Sequence, residues 1–322
     1  MNKKLKNTLG ILLPILLGAF LVIYEYNKFT PEELNHILDI VKNADITFIL
    51  LSALMAFLGY VFRAYRWRYT LEYIGYKSDF KFNLTVISIA YFLNLTIPRS
   101  GEISRAALLA KYKGVPFDKG FGTIIAERIV DFFILMSFVL LAVVIEFSTL
   151  KEFLLKYIPV QTLVTILIVG FLFGILGLYL LIYSKNAFIL KIKSKISGLT
   201  EGVLSVFKMP NKWAFFLQTL AIWTSYVLMF YFVIFALEET RMISFGTVLV
   251  AFVIGSLTIA FTNGGFGFFQ KLIAEILVLY SVPFASGYAF GWVSWTSQLI
   301  ITVFLGGLAF LILPTFNKKE IN

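Results

Sequence analysis

Long apolar runs separated by short polar segments make up nearly the whole chain. A helix of about 20 apolar residues crosses the hydrocarbon core of a bilayer, and six runs approach or exceed that length. They cover roughly residues 8–24, 46–65, 119–145, 160–183, 213–237 and 284–313. Because backbone N–H and C=O groups in hydrocarbon must pair within their own element, each run is predicted to be a helix. The pattern therefore predicts an all-α polytopic membrane protein with one integral membrane domain over residues 1–322.

Two further apolar regions, 83–97 and 243–262, are each followed by a break and a second helical stretch. The first break is Ile97-Pro98-Arg99-Ser100-Gly101, and the second runs from Asn263 to Gly267. Proline removes a backbone donor and glycine permits unusual dihedral angles, so both sequences favour interruption of a helix. Each region is predicted to be a re-entrant or broken helical hairpin.

The distribution of charge determines on which side these hairpins open. Segments 63–81 and 99–119 each carry five Lys or Arg, whereas 25–45 carries five acids and two Lys. If 83–97 crossed alone, basic segment 99–119 and all later basic loops would lie outside, against the positive-inside rule. With two hairpins, 21 of the 28 Lys and Arg are cytoplasmic and five are outside. This topology places both termini in the cytoplasm and the protein in the inner membrane.

The same topology divides the chain into two halves, residues 1–159 and 160–322. Each half consists of a span, a loop, a span, a hairpin and a span, but the first hairpin opens to the cytoplasm and the second to the outside. Transporters often use such inverted repeats, with the broken helices forming the substrate site. Within the second half, residues 185–211 alternate Lys with apolar residues, which predicts a basic amphipathic helix on the inner membrane surface.

Composition excludes several classes of chemistry. Of the 322 residues 59% are hydrophobic and 14% are charged, against about 25% charged in soluble domains. The net charge of +10 agrees with positive cytoplasmic loops and with a surface for anionic lipid headgroups, and no nucleic-acid partner is expected. With no Cys and one His, the chain offers neither a thiolate site nor a His-rich metal site. We expect no metal, no cofactor and no catalytic residue, since no enzyme motif is evident.

The strongest candidate site is a set of charged residues in the first half that lie in or next to apolar segments. Charged side chains at membrane depth cost several kcal/mol unless they are paired or hydrated. The pattern therefore indicates either a polar pocket for an anionic group or a salt-bridge cluster that fixes the first hairpin. Arg99 and Arg105 suit phosphate recognition, because the guanidinium group is a bidentate fork. The candidate residues are Arg63, Arg66, Arg99, Glu102, Arg105, Glu127, Arg128 and Asp131.

The second break supplies a weaker candidate site. Its glycines let the backbone turn and approach a ligand closely, and amides at the start of a half-helix favour an anion, although tight packing would need the same glycines. Gln270 follows as a polar candidate for the cavity. The residues in this group are Asn263, Gly264, Gly265, Gly267 and Gln270.

Taken in order, these motifs resemble the flippase-like membrane domain of the lysylphosphatidylglycerol synthases. The resemblance rests on Phe62-Arg63-Ala64-Tyr65-Arg66-Trp67, on Asn94 to Glu102 with Arg105, on Glu127-Arg128-Ile129-Val130-Asp131 and on Gly264-Gly265-Phe266-Gly267. Two positions depart from the family pattern: Asn263 replaces the usual proline and Gln270 replaces an acidic residue. The resemblance implies a standalone member without the aminoacyl-transferase domain, which handles or translocates polar lipids or lipid-linked sugars.

These observations predict a membrane transporter or flippase for a polar or anionic lipid, either a phospholipid or a lipid-linked sugar. A transporter of small solutes, and an enzyme or subunit in lipid or glycolipid modification, remain the alternatives. The expected partners are membrane lipids with an anionic or polar headgroup, and self-association into a homo-oligomer stays open. We also expect the two breaks to face each other near the centre of the bilayer, with the headgroup between them.

Overall fold

All regular structure in the described part of the chain is helical. The computed structural model describes residues 16–97, 99–149, 206–262 and 264–316, together with isolated residues between 151 and 190. Two short 3-10 turns, Glu238–Thr240 and Leu313–Thr315, supplement the helices. In chain order the helices are α1 (Leu16–Tyr26), α2 (Pro31–Lys42), α3 (Ile46–Tyr73), α4 (Phe80–Thr96), α5 (Ser100–Lys113), α6 (Phe117–Ile145), α7 (Lys212–Ala236), α8 (Phe245–Phe261), α9 (Phe268–Val278) and α10 (Phe284–Ile312).

Four of the described helices, α3, α6, α7 and α10, are long and apolar enough to cross a membrane. Their bounds agree with the predicted spans to within three residues, except that α3 continues past residue 65 to Tyr73. At 1.5 Å per residue, the 28 residues of α3 extend about 42 Å, which exceeds the hydrocarbon core of about 30 Å. The predicted all-α polytopic membrane fold is confirmed.

The first hairpin consists of α4 and α5, which pack against each other across a turn at residues 97–99. The two helices approach most closely at Gly101, where a Cβ atom would lie 2.4 Å from the carbonyl oxygen of Ala90. The backbone N–H of Gly101 also donates to Asn94 Oδ1 at 2.7 Å. Only glycine fits this contact, so the sequence of the turn fixes how closely the hairpin closes.

The second hairpin is built in the same way from α8 and α9, joined by residues 262–267. Gly255 of α8 lies against the ring of Phe269, since a Cβ atom there would be 2.7 Å from Phe269 Cε2. The absence of a side chain at Gly255 lets the returning helix α9 pack directly onto α8.

The bases of the two hairpins lie at opposite ends of the helical bundle. At one end, Lys113 of the first hairpin contacts Asp79 at 2.6 Å, and Phe82 packs on Phe316 after α10. At the other end, Tyr280, just after α9, donates to Glu146 at the end of α6 at 3.2 Å. Since α6 and α10 each run from one end to the other, the two hairpins enter the bundle from opposite ends.

Several sequence predictions fall on residues outside the described part of the chain. These are the beginning of the span 8–24, most of the span 160–183 and most of the amphipathic segment 185–211. Two turn residues, Pro98 and Asn263, are also outside it. Hairpins that enter from opposite ends are what an inverted repeat requires, and the repeat itself stays a prediction.

We expect the two hairpins to be accessible to reagents from opposite sides of the membrane. The cysteine-free chain allows single cysteines at Lys111, near the base of the first hairpin, and at Met242, which is 94% exposed just before the second. In intact cells a membrane-impermeant maleimide should label Met242→Cys, and it should label Lys111→Cys only after permeabilisation. Labelling of Lys111→Cys in intact cells would mean that α4 crosses the membrane alone.

Candidate functional site

A cavity of about 780 Å³ lies between the two helix breaks. Arg99 lines it from the first break, and Gly264 lines it from the second. The two breaks therefore face each other across one cavity, as the sequence predicts. Leu17 of α1 completes one wall, and α10 contributes another. The polar side chains of the lining belong to Tyr91, Asn94, Arg99, Glu102, Arg128, Thr262, Trp295, Gln298 and Thr302.

The first break holds Arg99 in an unusual backbone conformation. Its φ of 60° and ψ of 14° lie in the left-handed region, which costs an L-residue roughly 1–2 kcal/mol. The surrounding turn is fixed by the bond from Gly101 N to Asn94 Oδ1 and by the Ser100 hydroxyl, which donates to Ile97 O at 2.8 Å. Among the described residues no carboxylate oxygen lies within 4 Å of the Arg99 guanidinium, so this exposed cation lines the cavity without a counter-charge.

Three glycines with positive φ form the second break: Gly264, Gly265 and Gly267. The carbonyl oxygen of Gly264 accepts a hydrogen bond from the indole N–H of Trp295 at 2.7 Å. Gly267 contacts the backbone of α1 directly, because a Cβ atom there would lie 2.3 Å from Gly18 O. The second break is therefore held between α10 and α1.

Behind the cavity, five charged side chains form a buried network. Asp131 accepts two bonds from Arg66, at 2.6 and 3.0 Å, and a third from Arg63 at 3.1 Å. Glu127 accepts two bonds from Arg105, both at 3.2 Å, and lies 3.7 Å from Arg66. All five residues are buried, with Arg66 and Glu127 at 0% exposure. Mutual pairing offsets the cost of burying these charges away from water.

Aromatic and hydroxyl groups complete the surroundings of the buried arginines. Tyr226 of α7 accepts a bond from Arg63 Nε at 2.6 Å and contacts the hydroxyl of Tyr91 at 3.2 Å. The guanidinium of Arg105 lies over the Trp67 ring, 4.2 Å from its centroid, in the geometry of a cation–π contact. The network thus joins α3, α5, α6 and α7 into one unit.

Arg128 and Glu102 lie at the edge of this network and also line the cavity. Arg128 Nε is 3.6 Å from Glu102 Oε1, and Arg128 Nη1 is 3.8 Å from Asp131 Oδ2. Both distances are longer than a charge-assisted hydrogen bond of about 2.7–2.9 Å. Arg128 Nε and Glu102 Oε2 are buried without a hydrogen-bond partner, so the two charges of this pair are incompletely satisfied by the protein.

The structure thus divides the predicted site residues into three groups. Arg99, Glu102, Arg128 and Gly264 line the cavity. Arg63, Arg66, Arg105, Glu127 and Asp131 form the buried network, so Arg105 is paired rather than free for phosphate. Gly265, Gly267 and Gln270 do not line the cavity, and Gln270 is fully buried where α9 meets Gly291 of α10.

Several lining residues were not among the predicted site residues. Asn94 and Gln298 line the cavity, and Trp295 supports the second break. The sequence did indicate the two amides, because each lies within an apolar helix, where a polar side chain suggests a polar contact or a cavity. Trp295 gives no such signal, because an interfacial or packing tryptophan has the same sequence pattern.

Comparison with known proteins assigns the chain to a family. The family described as "Lysylphosphatidylglycerol synthase TM region" matches residues 9–313. The predicted resemblance is therefore confirmed. No solved structure matches the chain significantly.

Two curated archaeal proteins are similar to parts of the chain. "UPF0104 membrane protein MJ1595" of Methanocaldococcus jannaschii is 25% identical over 171 residues, which is 51% of this chain and 47% of that protein. "Glycosyltransferase AglD" of Haloferax volcanii is 27% identical over 123 residues, which is 38% of this chain and 19% of that protein. The chain thus matches about half of the first relative and about a fifth of the second.

Proposed function

We propose that the chain, which belongs to the lysylphosphatidylglycerol synthase TM region family, moves a polar or anionic lipid from one leaflet of the cytoplasmic membrane to the other. The lipid carries a phosphate group. The observation that carries this proposal is the cavity between the two helix breaks. It combines an unpaired Arg99 with a loosely paired Arg128. In our proposal the cavity lies within the membrane, where uncompensated charge is costly. A phosphate group would provide the missing counter-charge.

The edges of the cavity support a lipid rather than a fully water-soluble substrate. Phe261 of α8 lines the cavity and is 82% exposed, and Leu17 of α1 lines it and is 46% exposed. Apolar side chains exposed at this point are compatible with contact to hydrocarbon. In our proposal the headgroup occupies the polar wall, while the acyl chains stay outside the cavity in the bilayer.

The chain's own residues have separate roles in this mechanism. Arg99 and Arg128 lower the cost of moving a phosphate through a region of low dielectric constant. The buried network around Asp131 holds α3, α5 and α6 in place, so that the arginines of the cavity keep their positions. Gly264 of the second break lines the cavity and lets the backbone approach the headgroup without an intervening side chain.

A second candidate function draws on one relative. The similarity to a protein named as a glycosyltransferase favours a role in handling glycolipids, including that of a membrane subunit in glycolipid modification. Formation of a modified lipid by the purified chain alone, with a sugar donor present, would support this candidate. Movement of lipid without modification would support translocation.

We expect Arg99→Ala to reduce lipid translocation roughly 10- to 150-fold, because removal of one charge-assisted contact costs about 1.5–3 kcal/mol. The measurement is the rate at which a fluorescent anionic phospholipid becomes accessible to dithionite in reconstituted vesicles. Arg68→Ala is the matched control, since Arg68 is exposed, pairs with Glu72 and does not line the cavity.

Equal rates in wild-type, Arg99→Ala and protein-free vesicles, for phospholipids and a lipid-linked sugar alike, would contradict translocation. A loss of rate in Arg68→Ala equal to that in Arg99→Ala would show that the effect is not specific to the cavity.

A further inference from the structure

Helix α1 is attached to the rest of the molecule along one narrow face. Among its described residues, only Gly18 and Glu25 are buried. They are seven residues apart, about two turns of an α-helix, so they lie on the same face. Away from that face, Phe20 and Ile23 are each 60% exposed. Helix α1 is thus a peripheral helix, and it forms one wall of the cavity.

Charged and aromatic contacts hold the end of α1 that leads into α2. Glu25 Oε1 lies 3.0 Å from Lys271 Nζ of α9 and 3.5 Å from Lys28 Nζ. Just after α1, the ring of Phe29 packs on Tyr288 of α10, with the two centroids 5.3 Å apart. Because these contacts reach both α9 and α10, this end of α1 has a fixed position.

At Gly18, α1 meets the second break without any interlocking side chain. A Cβ atom added to Gly18 would lie 2.5 Å from the carbonyl oxygen of Phe266. Among the described residues, no hydrogen bond or ion pair joins α1 to residues 262–267. The contact therefore consists of van der Waals attraction, which is small for each pair of atoms. It can open without the loss of a polar interaction.

The other neighbour of the second break, α10, is bound to it more firmly. The ring of Phe266 lies 5.6 Å from that of Trp295, and the Trp295 indole donates to Gly264 O at 2.7 Å. Farther along the hairpin, α9 and α10 touch at Gly291, where a Cβ atom would lie 2.8 Å from Gln270 Cα. Of the two neighbours, α1 is therefore the one that can separate from the break.

The contact at Gly18 closes one side of the cavity. Leu17, the preceding residue, lines the cavity and is 46% exposed. Direct contact between the backbones of α1 and the second break leaves no gap there for the headgroup of a lipid whose acyl chains stay in the bilayer. A headgroup that enters on this side therefore requires α1 to move away from the break.

We propose that α1 is a lateral gate. It swings away from the second break about its fixed end at Glu25 and Phe29, and lipid headgroups pass between the bilayer and the cavity through the opening at Gly18. The structure shows the closed state. This inference rests on the proposed function, and it adds the route by which the lipid enters and the element that moves.

Reversible cross-linking tests whether α1 has to move. The chain has no Cys, so Leu17→Cys with Phe268→Cys places two thiols beside the Gly18 contact, both in the cavity lining. In reconstituted vesicles, a bis-methanethiosulfonate cross-linker should reduce phospholipid translocation to the rate of protein-free vesicles, and a reductant should restore it. Methyl methanethiosulfonate, which modifies both thiols without joining them, controls for crowding of the cavity.

A second pair of cysteines is the matched control for the position of the cross-link. Glu25→Cys with Lys271→Cys joins α1 to α9 at the fixed end, where the two native side chains are 3.0 Å apart. A cross-link there leaves the swing at Gly18 free, so the translocation rate should be the same before and after reduction.

A spectroscopic experiment follows the gate without lipid transport. Gly18→Ala adds the Cβ atom that meets Phe266 O, while alanine suits a helix, so the variant should displace α1 and stay folded. Overpacking of this kind should raise the ratio of open to closed molecules roughly 5- to 150-fold. Double electron–electron resonance between nitroxides at Leu16→Cys and Leu311→Cys, both exposed, should then show a second, longer distance. Ile23→Ala, on the exposed side of α1, should leave the distances unchanged.

The outcomes distinguish the gate from the proposed function. If the protein cross-linked between positions 17 and 268 moves lipid as fast as the reduced protein, the gate is wrong and translocation stands. Unchanged distances in Gly18→Ala, or an equal block by both cross-links, would likewise refute a swing about the fixed end. If the wild type moves no lipid although Gly18→Ala lengthens the distances, the proposed function fails, and the lipid route fails with it.

Discussion

Asp131→Ala should destabilise the protein by about 3–5 kcal/mol, the cost typical of breaking a buried ion pair. The loss is large because Asp131 accepts three hydrogen bonds from two buried arginines, Arg63 and Arg66. Without the carboxylate, both guanidinium groups stay in the protein interior with far less compensation. The free energy of unfolding in lipid bicelles, measured by steric trapping, reports the change.

A matched control exists at the surface. Asp79 also pairs closely with a cation, Lys113 at 2.6 Å, but its side chain is 72% exposed. The hydrogen bond from Lys113 lowers the pKa of Asp79, yet solvent screening limits exposed pairs to about 0–1 kcal/mol. Asp79→Ala should therefore have a small effect. Equal effects of the two substitutions would contradict the buried network. The double variant Asp131→Ala with Arg66→Leu should recover part of the lost stability, because one fewer buried cation is left without a partner.

Gly267→Ala is expected to destabilise by about 2–4 kcal/mol, because two penalties act at one position. Its φ of +77° lies in the left-handed region, which is unfavourable for alanine, and the added Cβ would lie 2.3 Å from Gly18 O. The atom in conflict belongs to the backbone of α1, so it cannot rotate away as a side chain would. Thermal unfolding in detergent, followed by size-exclusion chromatography, measures the effect.

Gly264→Ala separates the two penalties. Gly264 has a similar φ of +68°, but an added Cβ would meet nothing within 4 Å. Gly264→Ala should therefore lose only the stability that corresponds to the unfavourable backbone conformation, about 1–2 kcal/mol. If Gly264→Ala and Gly267→Ala are equally stable, the contact between α1 and the second break does not contribute to stability.

Hydropathy and charge were sufficient to predict the two hairpins and the four long helices α3, α6, α7 and α10. Apolar length predicted α6 and α10 closely, because helical spans are determined locally by the bilayer. The five basic residues on each side of α4 indicated that it returns rather than crosses. These are properties of single segments or of neighbouring loops, which a sequence displays directly.

The pairing of charges across the site could not be predicted in the same way. The sequence grouped Arg99 with Arg105 as candidates for phosphate, but Arg105 is buried against Glu127 whereas Arg99 lines the cavity. Which arginine is paired depends on the rotation of α5 relative to α6, and no short-range pattern encodes that rotation. The docking of Gly18 on Gly267 joins residues almost 250 positions apart, and it was missed for the same reason.

The buried network also bears on the order in which the chain is made. The ribosome delivers Arg63 and Arg66 first, then Arg105, and only afterwards Glu127 and Asp131 of α6. Each carboxylate therefore enters the membrane when its counter-charges are already part of the nascent chain. Since N-terminal parts fold before the rest is synthesised, the arginines of α3 and α5 can pair with the carboxylates of α6 before the second half of the chain emerges from the ribosome.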